Sequence, residues 1–180
     1  MSNYSQIYKK TIIPKIKEEF KLDNDFAVPR IEKIVVNAGI GRQVIQNQDF
    51  LETAKSEIVK ICGQKPVIKL SKKAISAFKL RKNIPIGLVV TLRGERMYYF
   101  LEKLINVTMP RVKDFRGIKT KSFDKSANLS IGILEHTVFP EIDFENNQNV
   151  ISLEVTLVFN TKNAEIAKRI LELFGLVFQK

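Results

Sequence analysis

A chain of 180 residues with 44% hydrophobic residues is large enough for one domain with a full core and too short for two. Its formal net charge of +11 directs it toward a polyanion, either nucleic acid or an anionic membrane surface. One cysteine, Cys62, excludes an internal disulfide and a cysteine-cluster zinc site, and no apolar run nears the ~20 residues of a membrane helix.

Residues 2–22 predict a helix, with Ile7, Ile12, Ile13, Ile16 and Phe20 as apolar points among lysines, broken by Asp23, Asn24 and Asp25. The same residues lack the apolar core of a secretion signal, so a reducing, cytoplasmic setting is expected. Ile31 to Ala38 predict a strand closed by Gly39 and Gly41. Leu51, Ala54, Ile58 and Ile61 share one face of a helix ending at Gly63, with Cys62 a small buried residue at its end. Pro66 to Leu70 form a short strand, and residues 71–84 a basic connection with Ile75 and Phe78 as its apolar points.

Ile86 to Arg93 predict a strand with Ile86, Leu88, Val90 and Leu92 on one face. Met97, Phe100, Leu101, Leu104 and Ile105 make a helical stripe that Pro110 is expected to stop. Residues 111–127 read as irregular and basic, and Leu129 to Leu134 as a strand. Ile151 to Phe159 alternate cleanly, and Asn163 caps a last helix that buries Ile166, Ala167, Ile170, Leu171 and Phe174. The fold class is α+β: a mostly antiparallel sheet with helices on one face and the other face open to a partner. One domain over 1–180 is expected, with an N-terminal helix within 1–22, a basic loop over 71–84 and an acidic loop over 135–149.

The charge is localised. Between Glu57 and Glu95 there is no acid, while Lys60, Lys65, Lys69, Lys72, Lys73, Lys79, Arg81, Lys82 and Arg93 all fall there. The segments on either side are nearly balanced. Such a field of one sign on an otherwise neutral protein marks a nucleic-acid surface. The outward positions of the two strands carry Lys33, Val35 and Asn37, and Gly87, Val89, Thr91 and Arg93. Cations reach phosphates, while Asn and Thr exchange hydrogen bonds with ribose edges, which suits RNA. The loop 71–84 offers an arm for a second phosphate backbone.

From Ser126 to Thr161 the chain has no lysine or arginine but holds Glu135, Glu141, Asp143, Glu145 and Glu154, a surface for solvent or a basic protein. Catalysis, metal and cofactors find little support. Gly39-Ile40-Gly41 lacks the third glycine of a dinucleotide loop, and Glu141, Asp143 and Glu145 lack the spacing of a calcium loop. The single histidine, His136, has no partner histidine or nearby cysteine and is expected at the surface. No catalytic residue, metal site or cofactor is assigned.

VPRIEKIVVNAGIG (28–41), CGQKP (62–66), AISAFKLRKNIPIG (74–87), TLRGERM (91–97), PRVKDFRG (110–117) and FPEID (139–143) resemble, in order and spacing, the bacterial large-subunit ribosomal protein five family, which binds 5S rRNA. The resemblance implies a non-catalytic constituent of the large subunit in the cytoplasmic ribosome, with 5S rRNA held by Lys33, Asn37, Gln64, Lys65, Thr91 and Arg93. It implies that Lys72, Lys73, Phe78, Lys79, Arg81 and Lys82 approach the P-site tRNA. It further implies that Phe139, Glu141 and Asp143 meet a basic protein of the small-subunit head, with large-subunit rRNA and neighbouring large-subunit proteins as the remaining partners and no membrane. The family's Gly-x-Gly-Asn-aromatic turn is replaced here by Lys125-Ser126-Ala127-Asn128-Leu129.

Overall fold

The computed structural model describes residues 3–47, 49–78, 80–142 and 150–179, and of Phe78 the backbone alone. The chain opens with α1 (Asn3–Ile7), a π-helical turn (Tyr8–Ile12) and α2 (Ile13–Glu19), then enters strand β1 (Ile31–Gly39). Two helices follow, α3 (Gly41–Gln46) and α4 (Phe50–Cys62), then strands β2 (Val67–Leu70) and β3 (Pro85–Leu92). Helix α5 (Gly94–Lys103) runs through a π-helical stretch (Leu104–Thr108) into α6 (Met109–Arg111). Strands β4 (Leu129–Ile133) and β5 (Leu153–Phe159) and helix α7 (Ala164–Leu173) complete it.

The five strands make one open sheet in the order β2-β3-β1-β5-β4. The pairing is antiparallel: Val67 faces Val89 and Lys69 faces Gly87 across β2 and β3, and the register shifts after Lys69. Gly87 lets β3 lie close to β1: a Cβ there would stand a tight 3.2 Å from the carbonyl oxygen of Ala38 on β1. By contacts the chain divides into two compact units, Met1–Ile34 with Leu92–Ile131 and Thr156–Lys180, and Val35–Thr91 with Gly132–Val155.

In the first unit α1 packs on α5 and α2 on α7. Ile12 and Ile16 are buried as their spacing requires, and so are Tyr4 and Tyr8. The Tyr8 hydroxyl donates to the Pro29 carbonyl at 3.0 Å, and burial pushes its phenol up to about 12. The Arg169 guanidinium grips Glu19 with two parallel bonds of 2.8 and 2.7 Å, joining α7 to α2. Asn163 caps α7 by accepting from the Glu165 and Ile166 amides, and Ile166, Ala167, Ile170, Leu171 and Phe174 are all buried.

Pro110 does not stop its helix, which continues to Arg111. The preceding turn is π-helical, and the Met109 amide bonds to Leu104, five residues back. This wider turn relieves the clash of a proline ring with the carbonyl four residues earlier.

In the second unit α3 packs on α4. Ala54, Ile58 and Ile61 are buried on α4, which ends where Gly63 takes the left-handed φ of 64° and its amide bonds to Val59. Only glycine adopts that backbone without a steric penalty.

Candidate nucleic-acid interface

Strand alternation sorts the sheet into two faces. Ile34, Val36 and Ala38 of β1 and Leu88, Val90 and Leu92 of β3 are buried. Between them Val35, Gly87 and Val89 are half-buried, and Asn37 and Thr91 are exposed. Of the residues expected to meet 5S rRNA, four lie in the second unit: Asn37, Gln64, Lys65 and Thr91. Gln64 follows the left-handed Gly63, and its side-chain Nε2 donates to the Thr91 carbonyl at 3.2 Å, fixing the α4–β2 turn beside the end of β3. Lys65 is exposed one residue on. Lys33 and Arg93 belong to the first unit, Lys33 half-buried and Arg93 exposed on extended backbone immediately before α5.

The basic connection is an ordered hairpin tip among its described residues. Ser71, buried, donates its hydroxyl to the Arg81 carbonyl and accepts from the Ile84 amide at 3.1 Å. The Ser71 amide bonds to Ile84 at 2.9 Å, and the Asn83 amide to Ser71 at 3.0 Å. Ile75 and Leu80 exchange backbone bonds in both directions across the tip. These bonds set Lys72, Lys73, Arg81 and Lys82 outward, all exposed. Lys79 and the Phe78 side chain lie outside the described residues.

At the acidic end, Phe139 is fully buried and offers no surface, and among the described residues there the exposed acid is Glu141. Asp143 lies outside the described residues. His136 is a correction: it is fully buried and not at the surface. Its partner is Glu57, also buried, at 2.9 Å. Because Glu57 is withdrawn from solvent, the exposed acid-free interval begins earlier, after Glu52. The described cations face water over a longer stretch than the sequence count implies.

The turn that stands in place of the family's glycines holds a left-handed residue, Ala127 with φ 59°. The Asp124 carboxylate accepts from the Ser126 and Asn128 amides and from the Asn128 side chain, each at 2.8 Å. Those bonds, the Asn128 side chain first, hold its pKa below the usual aspartate value. The Asn128 side-chain oxygen in turn accepts from the Phe159 amide at 3.2 Å. Leu129, in place of the aromatic residue, is buried.

Among the described residues no three histidine, cysteine or acidic side chains group as metal ligands, and no helix is long and apolar enough to cross a membrane. An open antiparallel sheet with exposed amide, hydroxyl and cationic side chains, joined to an ordered cationic hairpin, is the arrangement of an RNA-binding α+β protein.

Comparison with known proteins agrees. Residues 24–81 match the model described as ribosomal protein L5, and residues 85–178 match the model for the C-terminus of the same ribosomal family. The chain is similar to the large ribosomal subunit protein uL5 of Geotalea daltonii, 46% identical over 99% of both chains. It is also similar to that of Desulfatibacillum aliphaticivorans, 47% identical over the whole of both. A third relative, the large ribosomal subunit protein uL5c of Oedogonium cardiacum, is 47% identical over 97% of this chain and 96% of its own. The chain belongs to the ribosomal protein L5 family: it is a structural constituent of the large ribosomal subunit and not an enzyme.

Proposed function

We propose that the chain docks 5S rRNA onto the large subunit through the outward residues of its sheet. Asn37, Gln64, Lys65 and Thr91 act from the second unit, and Lys33 and Arg93 from the first. The carrying observation is that Asn37 and Thr91 stand exposed on a sheet face whose opposite side is wholly apolar, while Gln64 is tied to Thr91. Short amide and hydroxyl side chains suit ribose hydroxyls, and the cations beside them suit phosphates. Lys72, Lys73, Arg81 and Lys82 on the pinned hairpin, with Phe78 and Lys79, reach the P-site tRNA. The region of Phe139, Glu141 and Asp143 faces a basic protein of the small-subunit head, and large-subunit rRNA and neighbouring proteins complete the surroundings.

The test is a double substitution, Arg93→Ala with Asn37→Ala. Both side chains are exposed, so the fold survives. Loss of one charge-assisted and one neutral hydrogen bond weakens 5S rRNA binding about tenfold or more. Unchanged affinity in a gel-shift titration, with an unchanged melting profile, defeats the sheet-face reading.

A further inference from the structure

In the second unit the outer face of the sheet holds a hollow of about 400 Å³, lined by Asn37, Gly39, Lys69, Gly87, Ser152 and Glu154 among others. Two glycines leave bare backbone where side chains would stand, so a flat group can approach closely. Glu154 is unexpected there. It is an exposed carboxylate within a surface otherwise suited to phosphates, and no ion pair among the described residues includes it. A phosphate oxygen in this hollow would be repelled. What a carboxylate accepts is N–H or O–H, and RNA presents these on base edges and the 2′-hydroxyl.

Guanine alone among the bases carries two adjacent donors on its Watson–Crick edge, N1–H and the N2 amine, which match the two oxygens of one carboxylate as an arginine fork does. The neighbouring O6 is an acceptor, and the Asn37 amide supplies a donor. Lys69, exposed at the same hollow, supplies a cation for the adjoining phosphate. We propose that this hollow takes the Watson–Crick edge of an unpaired guanine in RNA, with Glu154 accepting from N1–H and N2–H, Asn37 donating to O6 and Lys69 meeting the phosphate. The inference rests on the sheet-face reading and adds a base-reading residue to it.

Glu154→Gln separates the two by sign. Removing a negative charge from a phosphate-binding surface tightens RNA binding if electrostatics alone act there. If the carboxylate reads guanine, the same change weakens 5S rRNA binding about tenfold, the scale of one bidentate base contact. A second arm uses single-stranded RNA pentamers, UUGUU, UUIUU and UUAUU, in fluorescence anisotropy. The expected order of affinity is guanine, then inosine, which lacks the N2 amine, then adenine, and Glu154→Gln removes the advantage of guanine over inosine.

Free 5′-GMP presents the same edge without the chain and is expected to compete far less well than UUGUU. Equal competition would assign the hollow to a mononucleotide and overturn the RNA proposal. Tighter or unchanged 5S rRNA binding by Glu154→Gln, or pentamers bound without regard to the central base, also overturns it and leaves the sheet-face reading standing. Absence of 5S rRNA binding by the unaltered protein defeats the sheet-face reading instead, and the pentamers still decide the guanine site.

Discussion

His136 Nε2 lies 2.9 Å from Glu57 Oε2, 79 positions away in the chain, and both side chains are buried. The other ring nitrogen, Nδ1, accepts from the Ile151 amide at 3.2 Å. With Nδ1 accepting, the ring proton sits on Nε2 and faces the carboxylate, so geometry fixes the tautomer. The pair joins the middle of α4 to the turn after β4, both within the second unit.

Removing the ring leaves a buried carboxylate and a buried amide without partners. His136→Ala is therefore expected to destabilise the fold by about 3–5 kcal/mol, the scale of a broken buried pair. Glu57→Gln keeps an oxygen that can accept from Nε2–H and is expected to cost much less, about 1 kcal/mol. Urea unfolding of the two variants checks this; equal losses would show that the charge of the carboxylate, and not an accepting oxygen alone, holds the site.

Asp124 gives a pH-dependent prediction. Its folded pKa is lowered by the Asn128 side chain first and by backbone amides after it. A lowered folded pKa means that the contribution is complete above the unfolded value, about 3.9, and is lost as pH falls through the folded value. Asp124→Ala is expected to lower stability at neutral pH by about 1–2 kcal/mol through lost hydrogen bonds, and to flatten the acid limb of a stability profile. The neighbouring Ala127→Gly relieves a left-handed alanine but removes a buried methyl, two effects of about 1 kcal/mol with opposite sign, so a change within about 1 kcal/mol is expected in the same unfolding assay.

The local periodicities were legible. Ile31–Gly39, Leu153–Phe159, α4 with its closing Gly63, and α7 with its Asn163 cap all follow from spacing and end signals within a dozen residues. The outward residues Asn37 and Thr91 were legible for the same reason, because alternation places every second residue on one face. The His136–Glu57 pair was not, since no local pattern joins residues 79 apart, and a lone histidine gave no sign of its partner. Ala127 hid a left-handed turn that a glycine would have announced. Glu154 falls in an acidic segment of the sequence, but strand order sets it in the hollow with Asn37 and Lys69, and strand order is not written in any single strand.

Tyrosine burial makes an alkaline prediction. Burial pushes the Tyr8 phenol up to about 12 and raises Tyr4 and Tyr98 as well. A raised folded pKa gives stability that is complete below the unfolded value, about 10, and is lost as pH rises through the folded one. Stability is therefore expected to fall between about pH 10 and 12, with tyrosinate absorbance of Tyr8 appearing late in that range. Tyr8→Phe is expected to cost about 1 kcal/mol at neutral pH, because the Pro29 carbonyl loses its donor, and to remove part of the alkaline decline. An unchanged alkaline limb would place the titration elsewhere.

The hairpin gives the prediction that separates two RNA surfaces. Arg81 and Lys82 are exposed, and the backbone that carries them is held by Ser71 and not by their own side chains. Arg81→Gln with Lys82→Gln therefore leaves the tip folded. If the tip serves tRNA, the double variant binds 5S rRNA with unchanged affinity and unchanged salt dependence. Its affinity for tRNA falls, and the slope of log affinity against log salt shrinks by roughly one for each phosphate that a cation no longer neutralises. Ser71→Ala acts differently: it keeps every charge but frees the Arg81 carbonyl and the Ile84 amide. It is expected to speed hydrogen exchange at Ile84 and to weaken tRNA binding with little change in the salt slope, because the cations remain but are no longer held in place. An equal loss of 5S rRNA binding in the charge variant would make the tip part of the primary surface and merge the two.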